Sequence, residues 1–241
     1  MAFEGTRVLL VGGTSGLGLA VAQAVAERGA IPIVASRTRA SVDRALGQLP
    51  AGAEGGTVDL ADPDSIDRLV ERAGTIDHLV YTAGEPLRLT MLADLTPEIA
   101  HDFWSTRYFG ALAVIRAVTA TRALRQPGSI VLTGGTAGQR PGPGWSLGAS
   151  ICGAMEALTR ELALELAPIR VNLVAPGVTR SPLWTSMSTE EQQAMYDGIA
   201  ATLPVGRVGE PSEVALAYLY AMEQPMATGT SILVDGGAVL V

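Results

Sequence analysis

A glycine-rich segment near the start of the chain has the residue types of a phosphate-binding turn. It lies between an apolar run, Arg7–Val11, and a helical pattern, Leu17–Arg28. Glycine lets the backbone turn tightly and approach a pyrophosphate, and the free N–H groups of a helix N-terminus attract negative charge. The pattern therefore predicts a dinucleotide site that includes Gly12, Thr14, Ser15, Gly16, Leu17 and Gly18.

The end of the second apolar run indicates which dinucleotide binds. Sites for NAD usually carry a carboxylate here, which binds the ribose 2′-hydroxyl. This chain has Ser36 at that place, followed by Arg37 and Thr38. A guanidinium binds a 2′-phosphate through charge-assisted hydrogen bonds. NADP(H) is therefore the predicted cofactor, with these three residues as contacts; the alternative is that Arg37 is merely exposed.

These turns need a framework, and strands alternate with helices along the whole chain. Short apolar runs separated by helices predict a seven-stranded parallel sheet covered on both faces. We expect a three-layer, doubly wound α/β fold of the Rossmann type, in one domain over residues 1–241. The predicted strands are Arg7–Val11, Ile31–Ala35, Gly56–Val58, Leu79–Thr82, Ser129–Thr133, Arg170–Val174 and Ser231–Val234. The predicted helices are Leu17–Arg28, Asp62–Ala73, Pro97–Leu124, Trp145–Leu166 and Pro211–Met222.

Two segments in the last third of the chain do not fit this alternation. Residues 179–204 are irregular, which favours either a surface excursion or a lid over a pocket at the carboxyl edge of the sheet. The chain ends in the apolar tail Ala238–Val241. A tail this apolar favours burial at a subunit contact, so we expect a homodimer or homotetramer.

The composition argues against several classes of function. A net charge of −7 with scattered arginines is unfavourable for binding nucleic acid or an anionic membrane. No apolar run is long enough to span a bilayer, and no metal site is predicted. A single cysteine and the lack of a signal-peptide pattern after Met1 favour a soluble, cytoplasmic protein. The chain contains no lysine, so no mechanism that needs a lysine amine can operate.

The spacing of the glycine-rich turn, G-x-x-x-G-x-G, resembles that of the short-chain dehydrogenase/reductase family. Further segments resemble signatures of this family in their usual order, including Gly209-Glu210-Pro211 and Val234-Asp235-Gly236-Gly237. The resemblance implies contacts to adenine after the third strand and contacts to the nicotinamide amide after the sixth. The cofactor contacts implied in this way are Asp59, Leu60, Thr82, Ala83, Gly84, Pro176, Gly177, Val178 and Ser181.

The resemblance breaks at the residues that carry out the usual chemistry of the family. That chemistry uses an Asn, a Ser, a Tyr and a Lys. At these four positions the surrounding segments place Arg107, Gly135, Gly148 and Cys152. A shifted alignment does not restore the Tyr and Lys of this set. The chain has no lysine at all, and it has no tyrosine between Tyr108 and Tyr196.

The chain is in this respect similar to a divergent branch of the family that keeps the cofactor site but carries a basic residue at the Asn position. Some fungal and bacterial biosynthetic enzymes of this type reduce iminium carbons or control a cyclisation. A carbonyl needs a proton on oxygen as the hydride arrives, whereas an iminium is already electron-poor. The leading hypothesis is an atypical NADPH-dependent oxidoreductase that transfers hydride to an imine, iminium or activated carbonyl of a small molecule. The alternatives are an NADP(H)-binding cyclase or isomerase and a non-catalytic NADP(H)-binding regulator.

Four residues are candidates for the remaining chemistry. Arg107 could hold a substrate carboxylate or carbonyl, replace the missing lysine near the ribose, or form a structural ion pair. Glu85 could be a general acid, stabilise a cationic substrate, or be a solvated loop acid. Trp145 could stack on an aromatic substrate or pack under the lid, and Thr136 could supply the hydroxyl of the missing serine.

Other reactive side chains are expected to be structural. Ser146 is expected to be a helix N-cap rather than a catalytic hydroxyl. Cys152 is expected to be a small buried helix residue rather than a nucleophile. His78 and His101 are expected to lie away from the pocket.

Overall fold

The structure, a computed structural model, describes residues 3–87 and 89–241. These residues form a seven-stranded sheet of entirely parallel neighbours in the order β3-β2-β1-β4-β5-β6-β7. The strands are β1 Arg7–Val11, β2 Ile31–Ser36, β3 Glu54–Thr57, β4 Ile76–Tyr81, β5 Leu124–Thr133, β6 Arg170–Pro176 and β7 Ser231–Val234. The predicted doubly wound α/β class is confirmed.

Helices cover both faces of this sheet. They are α1 Gly16–Ala26, α2 Arg39–Leu46, α3 Pro63–Ala73, α4 Pro97–Trp104, α5 Gly110–Ala120, α6 Ser146–Glu165, α7 Thr189–Ala200 and α8 Pro211–Glu223. Because successive strand residues point to opposite faces, Leu9 and Val11 pack in the core with α3, α5 and α6. Their neighbours Val8 and Leu10 pack on the other face with α1, α2 and α8. Within the described ranges, no helix combines the length and the apolar character needed to cross a membrane.

The sequence pattern does not predict α2 or α7, because neither helix has a broad apolar stripe. In α2 only Val42 and Ala45 are buried, and in α7 only Tyr196 is. Both helices depend on their caps: Thr38 accepts the N–H of Ser41 at the start of α2, and a capping box built on Ser188 starts α7. A helix with so little buried surface is specified by its ends rather than by periodicity.

The predicted helix Pro97–Leu124 is wrong in its extent and regularity. A π-helical turn, Ser105–Phe109, separates α4 from α5, and α5 ends at Ala120. Leu124 belongs instead to β5, where it pairs with Ile76 of β4. A sheet pairing across almost fifty residues therefore overrides the helical periodicity of this segment.

The order of the strands reverses beside β1, which pairs with β2 on one side and with β4 on the other. The chain leaves the carboxyl ends of β1 and β4 towards helices on opposite faces of the sheet. This arrangement opens a crevice at the carboxyl edge, which is where ligands bind in open α/β sheets.

Candidate active site

A cleft of 1130 Å³ lies along the carboxyl edge of the sheet. Every residue that the sequence suggests for cofactor binding or catalysis lines this cleft, with the single exception of Thr38. The hydroxyl of Thr38 instead caps α2, accepting the Ser41 N–H at 3.2 Å. The carboxyl ends of parallel strands share one edge, so residues that are far apart in sequence meet here.

The glycine-rich turn packs closely against the segment after β4, which is possible only because its glycines lack side chains. Gly12 has φ +89°, and a β-carbon added there would lie 2.5 Å from the amide nitrogen of Ala83. A β-carbon on Gly18 would lie 2.5 Å from the Thr82 hydroxyl. Among the described residues, the side chain of Ser15 makes no capping bond to α1, so the first-turn N–H groups face the cleft without a side-chain acceptor. This turn fits a pyrophosphate, which needs close backbone approach and free N–H donors.

The adenosine end of the cleft contains the predicted residues that follow β2 and β3. Ser36 and Arg37 line it, and the Arg37 guanidinium forms an ion pair with the Glu85 carboxylate at 3.2 Å. Asp59 is exposed, and its carboxylate accepts the N–H of Ala61 at 3.0 Å. This end therefore presents a guanidinium that can reach an anion in the cleft.

The π-helical turn between α4 and α5 is fixed by a buried phenol. The Tyr81 hydroxyl donates to the Thr106 carbonyl, and a β-carbon on Gly110 would lie 2.6 Å from that hydroxyl oxygen. Burial raises the pKa of Tyr81 above its usual value. The hydroxyl is thus a structural donor and a poor acid, and the turn that it supports presents Arg107 to the cleft.

Arg107 is half-buried, and its side chain lines the cleft wall. Its Nη2 donates to the Glu85 carbonyl oxygen, and its Cζ lies 4.1 Å from the centroid of the Phe103 ring. Its Nη1 is buried and has no hydrogen-bond partner among the described residues. Desolvation lowers the pKa of Arg107, which the negative charge of Glu85 partly opposes. No acid in the described part of the chain forms an ion pair with Arg107, so the alternative of a structural ion pair is wrong.

The hydroxyl groups near β5 and α6 have different roles. Thr133 donates to the Tyr81 carbonyl at 2.7 Å and contacts the Tyr218 hydroxyl at 2.7 Å, which makes it structural. Thr136 lines the cleft. Ser146 is exposed and is the first residue of α6 rather than its N-cap. The predicted cap is wrong because the carbonyl of Trp145 already accepts an N–H from the first turn, that of Ala149.

The chain matches known proteins over nearly its whole length. A family model described as Enoyl-(Acyl carrier protein) reductase matches residues 11–239. The short-chain dehydrogenase/reductase malC of Malbranchea aurantiaca is 33% identical, with 98% of this chain and 96% of malC covered. The short-chain dehydrogenase/reductase ucsE of Acremonium sp is 34% identical, with 98% of this chain and 96% of ucsE covered. The chain belongs to the short-chain dehydrogenase/reductase family.

Solved structures of similar proteins agree with this family. The MalC Reductase/Diels-Alderase from Malbranchea aurantiaca has a TM-score of 0.91 at 31% identity, with 100% of this chain and 98% of that chain covered. A small-chain dehydrogenase in complex with NADPH has a TM-score of 0.85 at 33% identity, with 99% and 100% covered. The match extends across the glycine-rich turn, the sheet and the C-terminal segments alike.

The four positions that the sequence resemblance aligns with the family's Asn, Ser, Tyr and Lys all line the cleft. They hold Arg107, Gly135, Gly148 and Cys152. The Trp145 ring packs over Gly148, where a β-carbon would lie 2.9 Å from Trp145 Cε3. A β-carbon on Gly135 would lie 3.3 Å from the Cys152 sulfur. Burial raises the pKa of the Cys152 thiol, so the place of the usual lysine holds a neutral group.

Part of the segment 179–204 lines the cleft, including Ser181, Leu183 and Trp184. Trp184 is buried, donates to the Thr179 carbonyl at 3.0 Å, and packs edge-on against Trp145 with ring centroids 6.4 Å apart. The backbone of Leu87 is bonded to this segment at both ends, to the Leu183 carbonyl and to the Ser186 hydroxyl, each at 2.8 Å. Trp145 therefore packs against this segment, which agrees with the second of the two roles predicted for it, packing rather than stacking on a substrate.

Phe103 and His101 are among the cleft residues that the sequence-based assignment does not include. Phe103 lies under the Arg107 guanidinium, four residues earlier on the same helical segment. Side chains at this spacing meet on a helix surface, so the sequence contained a usable signal. His101 is expected to lie away from the pocket, and this is wrong: it is exposed but lines the cleft.

Proposed function

We propose that the chain is an NADPH-dependent reductase that transfers hydride to an imine, an iminium or an activated carbonyl of a small molecule. The observation that carries the proposal is the contact between Trp145 and Gly148. Trp145 would thereby occupy the position that we align with the family's proton-delivering tyrosine. A cytoplasmic location and a homodimer or homotetramer remain predictions.

The glycine-rich turn would hold the pyrophosphate, and Ser36 with Arg37 would hold the 2′-phosphate. The chemistry that NADPH supplies when bound is a hydride. Pro176, Gly177 and Ser181 lie at the end of β6 and would contact the nicotinamide amide. The close approach of Gly177 to the backbone of Asp235, where a β-carbon would lie 2.8 Å from its Cα, fixes the position of this segment.

The preference for an electron-poor carbon follows from the poor proton donors in the cleft. The phenol of Tyr81 is engaged by a backbone carbonyl and the thiol of Cys152 is buried, and the pKa of each is raised. Reduction of a simple ketone loses the contribution of a general acid, which is worth roughly 10²–10⁴ in rate. An iminium does not need that acid, because its nitrogen already carries a positive charge and becomes a neutral amine when the carbon accepts hydride.

The remaining candidates have supporting roles in this proposal. Thr136 lines the cleft and its hydroxyl would orient a substrate C=N or C=O group. The Glu85 carboxylate lies 3.3 Å from the Thr106 hydroxyl and 3.2 Å from Arg37. In the structure it is therefore engaged by these two groups and is not arranged as a general acid. Trp145 would bound the substrate on one side.

Consumption of NADPH with matched pairs of substrates tests the proposal. A cyclic imine and the ketone of the same carbon skeleton are offered to the wild type and to Arg37→Ala. We expect imine turnover to exceed ketone turnover by about 100-fold or more, with a raised KM for NADPH in the variant. Equal rates for the imine and the ketone would contradict the proposal, since the cleft would then contain an effective acid.

A second candidate is a cyclisation or isomerisation without net redox change. It is favoured by the size of the cleft and by its aromatic wall, where Trp145 packs against Trp184. The similar MalC protein is described as a Reductase/Diels-Alderase. Product formation that proceeds equally with NADP⁺ and NADPH would support this candidate over hydride transfer.

A further inference from the structure

Arg107 is half-buried, and the hydrogen-bonding capacity of its guanidinium is only partly used. One amino group, Nη2, donates to the Glu85 carbonyl. The other, Nη1, is buried without a partner among the described residues. A buried polar group without a partner is costly, and the cost is larger for a charged group.

The groups around Arg107 do not neutralise its charge by contact. Phe103 and Gly84 are apolar neighbours: the Phe103 ring lies under the guanidinium, and a β-carbon on Gly84 would lie 3.3 Å from Cζ. Cys152, whose pKa is raised by burial, presents a neutral thiol. The Glu85 carboxylate is turned away, towards Arg37 and the Thr106 hydroxyl.

We infer that the cleft takes substrates that carry a carboxylate, and that Arg107 is the residue that binds it. This inference rests on the proposed function and narrows its substrate class to imines or activated carbonyl compounds with a carboxylate near the reacting carbon. A carboxylate in the cleft would compensate the half-buried charge of Arg107, which a neutral carbonyl oxygen does not. An iminium without its own anion would be repelled by the guanidinium.

The cofactor is the competing partner for Arg107. Its phosphates have other predicted sites in the cleft, at the glycine-rich turn and at Arg37. A role at the ribose would make Arg107 a cofactor residue, and its loss would then weaken NADPH binding. The two roles are separated when the binding of cofactor and of a substrate-like anion is measured on the same variants.

The probes are pyrrole-2-carboxylate and pyrrole-2-carboxamide, which share a planar ring and differ in charge. Binding of each is measured by calorimetry, with and without saturating NADP⁺, to the wild type, Arg107→Met and Arg107→Lys. Arg116→Met is the matched control, because Arg116 is exposed on α5 and outside the cleft. Thermal denaturation of each variant checks that it is folded.

We expect the wild type and Arg116→Met to bind the carboxylate roughly tenfold or more tightly than the amide. In Arg107→Met this ratio should fall to about twofold or less, and Arg107→Lys should be intermediate because a single ammonium loses the forked geometry. Both affinities in this ratio, for the carboxylate and for the amide, are measured on the same variant. A partial loss of folded protein therefore affects both equally and does not change the ratio.

Equal binding of the two probes to the wild type would overturn the inference, as would a ratio that survives in Arg107→Met. Loss of the carboxylate preference on adding NADP⁺, or weaker NADPH binding by Arg107→Met than by wild type of tenfold or more, would assign Arg107 to the cofactor and also overturn it. None of these readouts requires hydride transfer. Failure of the anion site is therefore distinguishable from failure of the proposed reductase, which is judged by NADPH consumption.

Discussion

The Arg37 guanidinium lies 3.2 Å from the Glu85 carboxylate, although these residues follow β2 and β4, two strands that β1 separates in the sheet. The ion pair therefore spans the carboxyl edge above the glycine-rich turn that follows β1. Arg37 is 69% exposed and Glu85 39% exposed, so the pair is weak and accessible to a competing anion. A 2′-phosphate that binds the Arg37 guanidinium would compete with this carboxylate for it.

Replacement of Arg37 by alanine should weaken NADPH binding selectively. The variant loses a charge-assisted contact to the 2′-phosphate, so we expect a roughly tenfold higher Kd for NADPH and little change for NADH. Quenching of tryptophan fluorescence measures both. Arg39→Ala is the control, since Arg39 pairs with Asp43 on α2. Equal weakening of both dinucleotides would contradict a 2′-phosphate site at Arg37.

Replacement of Glu85 by glutamine should strengthen NADPH binding. The amide keeps the shape of the side chain but no longer competes as an anion for Arg37, and it removes repulsion of the phosphate. An exposed ion pair is worth about 0–1 kcal/mol, so the expected gain is about two- to fivefold in Kd. Weaker NADPH binding by Glu85→Gln would mean that the carboxylate orients Arg37 rather than competing for it.

Tyr81 and Gly110 should behave as an energetically coupled pair. Tyr81→Phe loses the hydrogen bond to the Thr106 carbonyl, which should lower the free energy of unfolding by about 1 kcal/mol. Gly110→Ala places a β-carbon 2.6 Å from the Tyr81 hydroxyl, and this overlap should lower the free energy of unfolding by about 1–3 kcal/mol. In the double variant the hydroxyl is gone, so the free energies of unfolding should be less than additive.

Urea denaturation of the four proteins measures this coupling. Gly198→Ala in α7 is the control, because a β-carbon there has nothing within 4 Å among the described atoms. Its effect on stability should not depend on Tyr81. Strict additivity for Gly110→Ala and Tyr81→Phe would exclude direct contact between the two positions.

Burial of His78 should make the protein less stable in mild acid. The ring contacts the Ser129 hydroxyl at 2.8 Å, and desolvation lowers its pKa from 6.5 to about 4. Below pH 6.5 the unfolded chain therefore binds a proton that the folded protein does not bind until about pH 4. The contribution of neutral His78 to the free energy of unfolding is therefore complete above pH 6.5. It is lost as the pH falls towards 4, by about 2 kcal/mol between pH 7 and 5.

Denaturation at a series of pH values measures the loss for the wild type and for His78→Asn. The variant has no imidazole at this position, so this part of the pH dependence should disappear. His101→Asn is the control, since His101 is exposed and its replacement should leave the profile of the wild type. A profile for His78→Asn that matches the wild type would assign the acid sensitivity to other groups.

Two glycines of α6 should respond oppositely to alanine. A β-carbon on Gly148 would lie 2.9 Å from the Trp145 ring, so Gly148→Ala should destabilise the protein by about 1–3 kcal/mol. The β-carbon of Gly153→Ala meets no described atom within 4 Å. That variant should gain about 0.5–1 kcal/mol from helix propensity. Thermal denaturation compares them, and an equal gain for both would show that Trp145 does not rest on Gly148.

Much of the fold could be predicted because its signals are local. The bounds of β1 and β7 agree with the apolar runs Arg7–Val11 and Ser231–Val234. Since parallel strands end at one edge, the site residues predicted after them also meet in one cleft, apart from Thr38. Helix α2 and the π-helical turn could not be predicted in this way, because a cap and a buried phenol specify them rather than a periodic pattern.

The sequence by itself determined the α/β class, the glycine-rich turn and the absence of any lysine, because each depends on residue types and their spacing along the chain. The tertiary structure decided which side chains meet across the cleft. The pairing of Arg37 with Glu85, and the burial of Arg107 on Phe103 without an acid partner in the described chain, depend on where separate strands and helices end. Charge and burial at these positions follow from packing over long sequence separations, which no local pattern encodes.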